Sequence, residues 1–272
     1  MRSFARRLRL RPLRAEPPSI ATKGPHSTGD LAETHPDLPE EFTDLYAACS
    51  RYTMTSVERM YGLYEAVRHV VRAGIPGHIV ECGVWRGGSS MLAAGTLLRL
   101  EERRDIWLYD TFEGMPEPSE RDVDHSGLHP ADIWEEVKQD RSSNMLAFAS
   151  REDAEANLAR IGFPREHLHF VRGRVEDTIP VEAPDCIALL RLDTDWFDST
   201  YHELVHLYPR LATGGVLIVD DYGHWQGARE AVERYFDEIG GGPLLARLDY
   251  TGRIAVKPPE VNGGGASRMG GE

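Results

Sequence analysis

The feature that most restricts the fold is a repeating alternation of short apolar runs with stretches of helical length. The runs are His78-Ile79-Val80-Glu81-Cys82, Ile106-Trp107-Leu108-Tyr109, and residues 168–171, 187–192 and 216–219. Ahead of this series, residues 56–73 place Val57, Met60, Tyr61, Tyr64, Val67 and Val71 at helical spacing. Gly74, Pro76 and Gly77 then stop that helix. Further helices are predicted over 89–100, 152–162, 199–211 and 227–239. Strands joined by helix-length crossovers run parallel, because a tight turn joins only antiparallel neighbours. Such a sheet carries helices on both faces. Residues 244–250 and 253–257 flank Thr251-Gly252 and read as a terminal hairpin that adds an antiparallel strand.

In open parallel sheets, ligands bind beyond the carboxyl ends of the strands, where the strand order reverses. Those positions hold Glu81 with the following glycines, Asp110, residues 173–177, Asp193, and Asp220-Asp221. In the first loop, Gly83 and Gly87 permit close approach of a ligand to the backbone, and Ser89 is placed to cap the next helix. The spacing is G-x-x-x-G-G. It is neither GxGxxG nor a Walker loop, which disfavours nicotinamide dinucleotides and nucleoside triphosphates. A carboxylate at the end of the second strand, Asp110, suits both ribose hydroxyls of a nucleoside. An adenosine without a polyphosphate is the implied ligand, and S-adenosylmethionine fits. Asp193, Asp220 and Asp221 are expected at two neighbouring strand ends. Three carboxylates there repel one another unless a cation joins them. An all-oxygen set selects a hard ion, Mg²⁺ first and Ca²⁺ or Mn²⁺ next. His202, His206 and His224 read as surface or packing residues.

Composition removes other classes. Lys plus Arg is 31 against 44 Asp plus Glu, a net charge of −13, which repels nucleic-acid phosphates. No apolar run approaches the ~20 residues of a membrane-spanning helix. Three cysteines without CxxC spacing exclude a disulfide framework and a thiolate zinc site, so a reducing, cytoplasmic setting is expected. Residues 1–40 are Arg-rich, then rich in Pro, Gly, Ser and Thr; they lack the apolar core of a secretory signal and are predicted to be a disordered tail and linker. The folded unit is predicted over 41–257, with a disordered Gly-rich tail over 258–272.

Thr53-Met54, Val84-Trp85-Arg86-Gly87-Gly88, Asp110-Thr111-Phe112-Glu113-Gly114, Asp177-Thr178-Ile179-Pro180, Leu190-Arg191-Leu192-Asp193-Thr194-Asp195, Leu207-Tyr208-Pro209 and the stretch ending Asp220-Asp221-Tyr222 occur in that order. With these motifs the chain resembles the macrocin and mycinamicin O-methyltransferase family of sugar methyltransferases, from about residue 52 to 257. The resemblance implies the class I methyltransferase fold: an α/β, Rossmann-like, seven-stranded, mostly parallel sheet with an antiparallel C-terminal strand. It also implies S-adenosylmethionine and Mg²⁺ as cofactors. Asp193, Asp220 and Asp221 are then the metal ligands, with Asp193 as base and Asp195 second. Thr53, Met54, Glu81, Gly83 and Ser89 surround the methionine end, with Val84, Trp85 and Gly87 in the same loop. Asp110 and Thr111 lie at the ribose, and Gly173, Val175 and Glu176 at the adenine. The implied reaction is methyl transfer to a hydroxyl of a sugar or glycoside. A catechol or phenol acceptor, and a cofactor-binding protein without turnover, stay open. A homo-oligomer is expected. Residues 113–148 match poorly past their start, so the acceptor does not carry over.

Overall fold

A computed structural model describes Leu31 and residues 33–259. Most of the expected terminal tails, 1–30 and 260–272, therefore lies outside the described residues. Among the described residues, seven strands form one sheet: β1 (His78–Cys82), β2 (Ile106–Asp110), β3 (Leu168–Arg172), β4 (Ile187–Leu192), β5 (Leu211–Val219), β6 (Ala246–Arg247) and β7 (Arg253–Val256). Their spatial order is β3-β2-β1-β4-β5-β7-β6. The first five are mutually parallel, and β7 runs antiparallel to both β5 and β6. The order reverses between β1 and β4, which puts the switch point at the ends of those two strands.

The longer helices are α1 (Glu40–Cys49), α2 (Val57–Arg72), α3 (Gly88–Arg99), α4 (Arg151–Ala159), α5 (Phe197–Leu207) and α6 (Gln226–Glu238). Alternation along each strand divides the core in two. Ile79, Ile106, Leu108, Leu189, Val216 and Ile218 pack with α1, α2, α3 and α4 on one face. Val80, Cys82, Tyr109, Leu190, Leu192, Leu217 and Val219 pack with α5 and α6 on the other. Ser56 caps α2 by accepting from the Arg59 amide at 3.2 Å.

The expected boundary at residue 41 is preceded by residues that pack on the core. Leu31 is buried and Leu38 packs on the same core, so the linker contributes to the fold before α1 begins. In α1 itself, Phe42, Leu45, Tyr46 and Cys49 recur at helical spacing and are buried. Strand β5 starts at Leu211 instead of 216, with Gly214 at φ +80° and a register shift against β4.

The segment between β2 and α4 crosses the carboxyl end of the sheet. Its anchor is Asp122, which is 1% exposed. Asp122 Oδ1 accepts from the Phe197 amide at 2.8 Å, so a remote carboxylate meets one of the open amides of α5. Its Oδ2 accepts from the Ser119 amide and hydroxyl, both at 2.7 Å. Gly227 makes room: a Cβ there would lie 2.2 Å from Asp122 Oδ1. A bridge between Asp124 and Trp225 continues the contact. Among the described residues, no helix is long and apolar enough to cross a membrane.

Candidate active site

A cavity of about 480 Å³ opens at the carboxyl ends of β1, β2, β4 and β5. Of the residues expected at a cofactor, Thr53, Met54, Gly83, Val84, Trp85, Ser89, Asp110, Thr111, Gly173, Val175 and Glu176 line it. Glu81 and Gly87 do not. Gly83 is required by crowding: at φ +85°, a Cβ would stand 1.9 Å from the Asp193 carbonyl oxygen. Gly87, also at positive φ, faces Leu158 of α4 and serves packing at the head of α3. The α3 N-terminus carries no side-chain cap, in contrast to the capping role expected of Ser89. Its open amides suit a carboxylate such as that of a free amino acid.

Asp110 has a function that strand-end position alone did not reveal. Its Oδ2 accepts from the amides of Val84 and Trp85, both at 2.8 Å, and its Oδ1 from that of Phe112 at 2.7 Å. Two of these bonds hold the glycine loop and the third the turn after β2, with the Thr111 hydroxyl 3.5 Å from Oδ1; of roughly four acceptor positions, about one is left for a further strong donor. Trp85 has a positive φ of 48°, a conformation in which bulky residues are uncommon. The Asp110 clamp holds that turn.

Glu81 sits behind the cavity wall because β4 buries an arginine. Arg191 is 2% exposed. It donates from Nη1 to Glu81 Oε1 at 2.7 Å and Asp193 Oδ2 at 2.7 Å, and from Nη2 to Asp220 Oδ1 at 2.6 Å and Thr55 Oγ1 at 3.0 Å. Ser89 and Ser90 donate their hydroxyls to Glu81. The other oxygen of Asp220 accepts from Arg59, whose Nε also donates to Asp249 at 3.0 Å. Arg191 was not among the expected site residues. The signal for it was a lone arginine in an otherwise apolar central strand, which must find buried partners.

The expected metal set therefore changes by one member. Both Asp220 oxygens are committed to arginines, and its carboxylate does not join the cluster. Oxygens of Asp193, Asp195 and Asp221 lie within 4.8 Å of one another instead. Burial and the Asp193 charge push Asp195 up to about 7. Burial and the two neighbouring carboxylates push Asp221 well above the usual carboxylate range. Asp221 Oδ2 is buried without a hydrogen-bond partner. An orphaned oxygen within an all-carboxylate set fits a hard divalent cation.

The loop bearing Asp193 and Asp195 is held from below by Glu203 of α5. Thr194 Oγ1 donates to its two carboxyl oxygens, at 3.1 and 3.2 Å. Burial raises Glu203 well above the usual carboxylate range, with the Thr194 bond opposing. A raised native pKa gives stability that is complete below the unfolded value, about pH 4.3, and is lost as pH climbs toward the native value. Glu203→Gln keeps a polar partner for Thr194 with no proton to lose. It is expected to be more stable than wild type at about pH 8, with the difference vanishing near pH 4. Thermal unfolding across that range checks this; a constant difference would remove Glu203 as its source.

Comparison with known proteins follows the same lines. The family model described as Macrocin-O-methyltransferase (TylF) matches residues 28–254. The mycinamicin III 3''-O-methyltransferase of Micromonospora griseorubida is 34% identical over 202 residues, 74% of this chain and 76% of that protein. An 8-demethyl-8-(2,3-dimethoxy-alpha-L-rhamnosyl)-tetracenomycin-C 4'-O-methyltransferase of Streptomyces olivaceus is 35% identical over 202 residues, 74% of each chain. Among solved structures, the O-methyltransferase NovP superposes with a TM-score of 0.67 at 29% identity, covering 78% of this chain and 87% of that one.

Proposed function

Because the chain belongs to the macrocin-O-methyltransferase (TylF) family of methyltransferases, we propose that it moves the methyl group of S-adenosylmethionine to a hydroxyl oxygen of a sugar carried on a small molecule, with Mg²⁺ at the carboxylate cluster. The observation that carries this reading is the convergence of Asp193, Asp195 and Asp221 in the same cavity as the glycine loop. The rhamnosyl group named in the tetracenomycin relative supports a sugar acceptor.

When bound, the cofactor supplies an electrophilic sulfonium methyl and the cation supplies Lewis-acid acidification of a hydroxyl. The chain's own residues orient and take up the proton. Asp110 fixes the loop Gly83–Trp85 and offers its remaining acceptor position to a ribose hydroxyl. The open amides of α3 receive the amino-acid carboxylate, and Val175 and Glu176 line the far end of the cavity for the adenine. Asp193, Asp195 and Asp221 hold the cation. Asp193 gives one oxygen to Arg191 and Asp195 bonds to Trp225 and Asp221; Asp193 is the first candidate to accept the acceptor's proton and Asp195 the second. Holding oxygen and methyl in attack geometry supplies about 7–11 kcal/mol of the barrier.

The test is transfer of tritium from labelled cofactor, with Mg²⁺, across glycosides, free sugars and catechols. Labelled glycoside that disappears with excess EDTA is the expected result. Labelling that persists in EDTA overturns the role of the cation, and labelling of catechols alone overturns the sugar. Asp110→Ala is expected to weaken cofactor binding by about 1.5–3 kcal/mol, the scale of a hydrogen bond to a charged group. Calorimetry giving an unchanged Kd would take Asp110 out of the cofactor site.

A further inference from the structure

At the outer edge of the cavity stands a second donor set of different chemistry. Asp124 and His125 come from the segment that crosses the sheet ends, and His224 from the turn after β5. One donor atom from each lies within 4.8 Å of the others. Asp124 and His224 line the cavity, while His125 is exposed at its margin. We propose that Asp124, His125 and His224 form a second metal site, for a borderline transition ion of the Zn²⁺ or Co²⁺ class, distinct from the all-oxygen cluster.

Two imidazole nitrogens and one carboxylate oxygen are a three-ligand set that leaves a position for water, and this mixture prefers such ions to Mg²⁺. The supporting shell is also present. His224 Nδ1 pairs with the Tyr250 hydroxyl at 2.9 Å, and the tautomer that donates this bond leaves Nε2 with its lone pair. Asp124 Oδ1 accepts from the Ser126 amide and hydroxyl at 2.7 Å and from the Leu128 amide at 2.9 Å, which fixes the carboxylate plane. The imidazole rings of His125 and His224 already approach to 4.9 Å between centroids. An ion shared by these three residues ties the crossing segment to the turn beyond β5 and braces the mouth of the cavity.

The probe is Co²⁺ added to the full chain in saturating Mg²⁺, followed by its visible absorption. Asp193→Asn should retain the nitrogen-bound cobalt spectrum, because the carboxylate cluster does not form this site. His125→Ala should lose it. Tyr250→Phe should weaken Co²⁺ by about tenfold or more, the scale for a group that orients a metal-bound histidine. Zn²⁺ should also slow trypsin cleavage at Arg121, Lys138 or Arg141 in wild type but not in His125→Ala. The proposal is overturned if His125→Ala binds Co²⁺ as wild type does, or if all Co²⁺ binding disappears with Asp193→Asn. None of these measurements uses a methyl donor or acceptor, so their outcome is independent of the methyltransfer reading.

Discussion

Replacing Asp193 by Asn is expected to lower kcat by about 10³-fold, within the range for loss of proton transfer by a positioned group. The Kd for S-adenosylmethionine, measured by calorimetry, should stay within about twofold, or 0.4 kcal/mol. The two expectations differ because the residue faces two ways. Its side chain belongs to the carboxylate cluster. Its main chain continues the sheet ladder, donating from its amide to the Cys82 carbonyl at 2.9 Å, and its carbonyl packs against Gly83. Asn preserves that backbone and removes one negative charge. Mn²⁺ binding followed by electron paramagnetic resonance should weaken in parallel with kcat. Normal turnover in this variant would separate the cluster from the chemistry altogether.

Arg191→Met is expected to destabilise the protein by about 3–5 kcal/mol, the cost of leaving buried charges without their partner. For a domain of this size, that corresponds to a drop in Tm on the order of 10 °C. Methionine fills a similar volume, so lost packing contributes little. The penalty arises because Glu81 and Asp220, 3% and 2% exposed, are left facing one another across the emptied position. Asp220 retains Arg59, whereas Glu81 retains only Ser89 and Ser90 among the partners described above. Glu81→Gln added to Arg191→Met should therefore recover part of the loss, and the two effects should be non-additive. Denaturant unfolding that shows a loss below about 1 kcal/mol would mean that the ion pairs are close to neutral for stability.

Much of the architecture could be read from apolar periodicity. The predicted β1 and 187–192 coincide with the observed strands, and the helices shift by only a few residues at their ends. The central expectation about the carboxylates held less well. Strand-end position collects Asp193, Asp195, Asp220 and Asp221 but does not assign their directions. Consecutive residues at the end of a strand point to opposite sides. Asp220 turns toward Arg191 while Asp221 joins the cluster, in keeping with that alternation, whereas Asp195, past the end of β4 at φ +64°, reaches the cluster through a turn. The alternation rule was available from the sequence. What was not available was the partner network, because Arg59, Asp249 and Thr55 reach the site from segments distant in the chain. Asp110 shows the same limit. Its location was legible, but its three amide bonds depend on the path of the loop around it.

The attachment through Asp122 has an engineering consequence. The stretch over the cavity rim springs from the end of β2 and is fixed to the head of α5 through Asp122 and to the head of α6 through the Asp124–Trp225 bridge and the Gln226 amide, which donates to the Val123 carbonyl at 2.8 Å. Beyond these attachments it is an exchangeable insert: keep Ser119, residues 122–124 and Gly227, and what lies downstream can be swapped while the carboxylates and the glycine turn stay where they are. If the proposed acceptor rests on this rim, its identity can be grafted separately from the carboxylates.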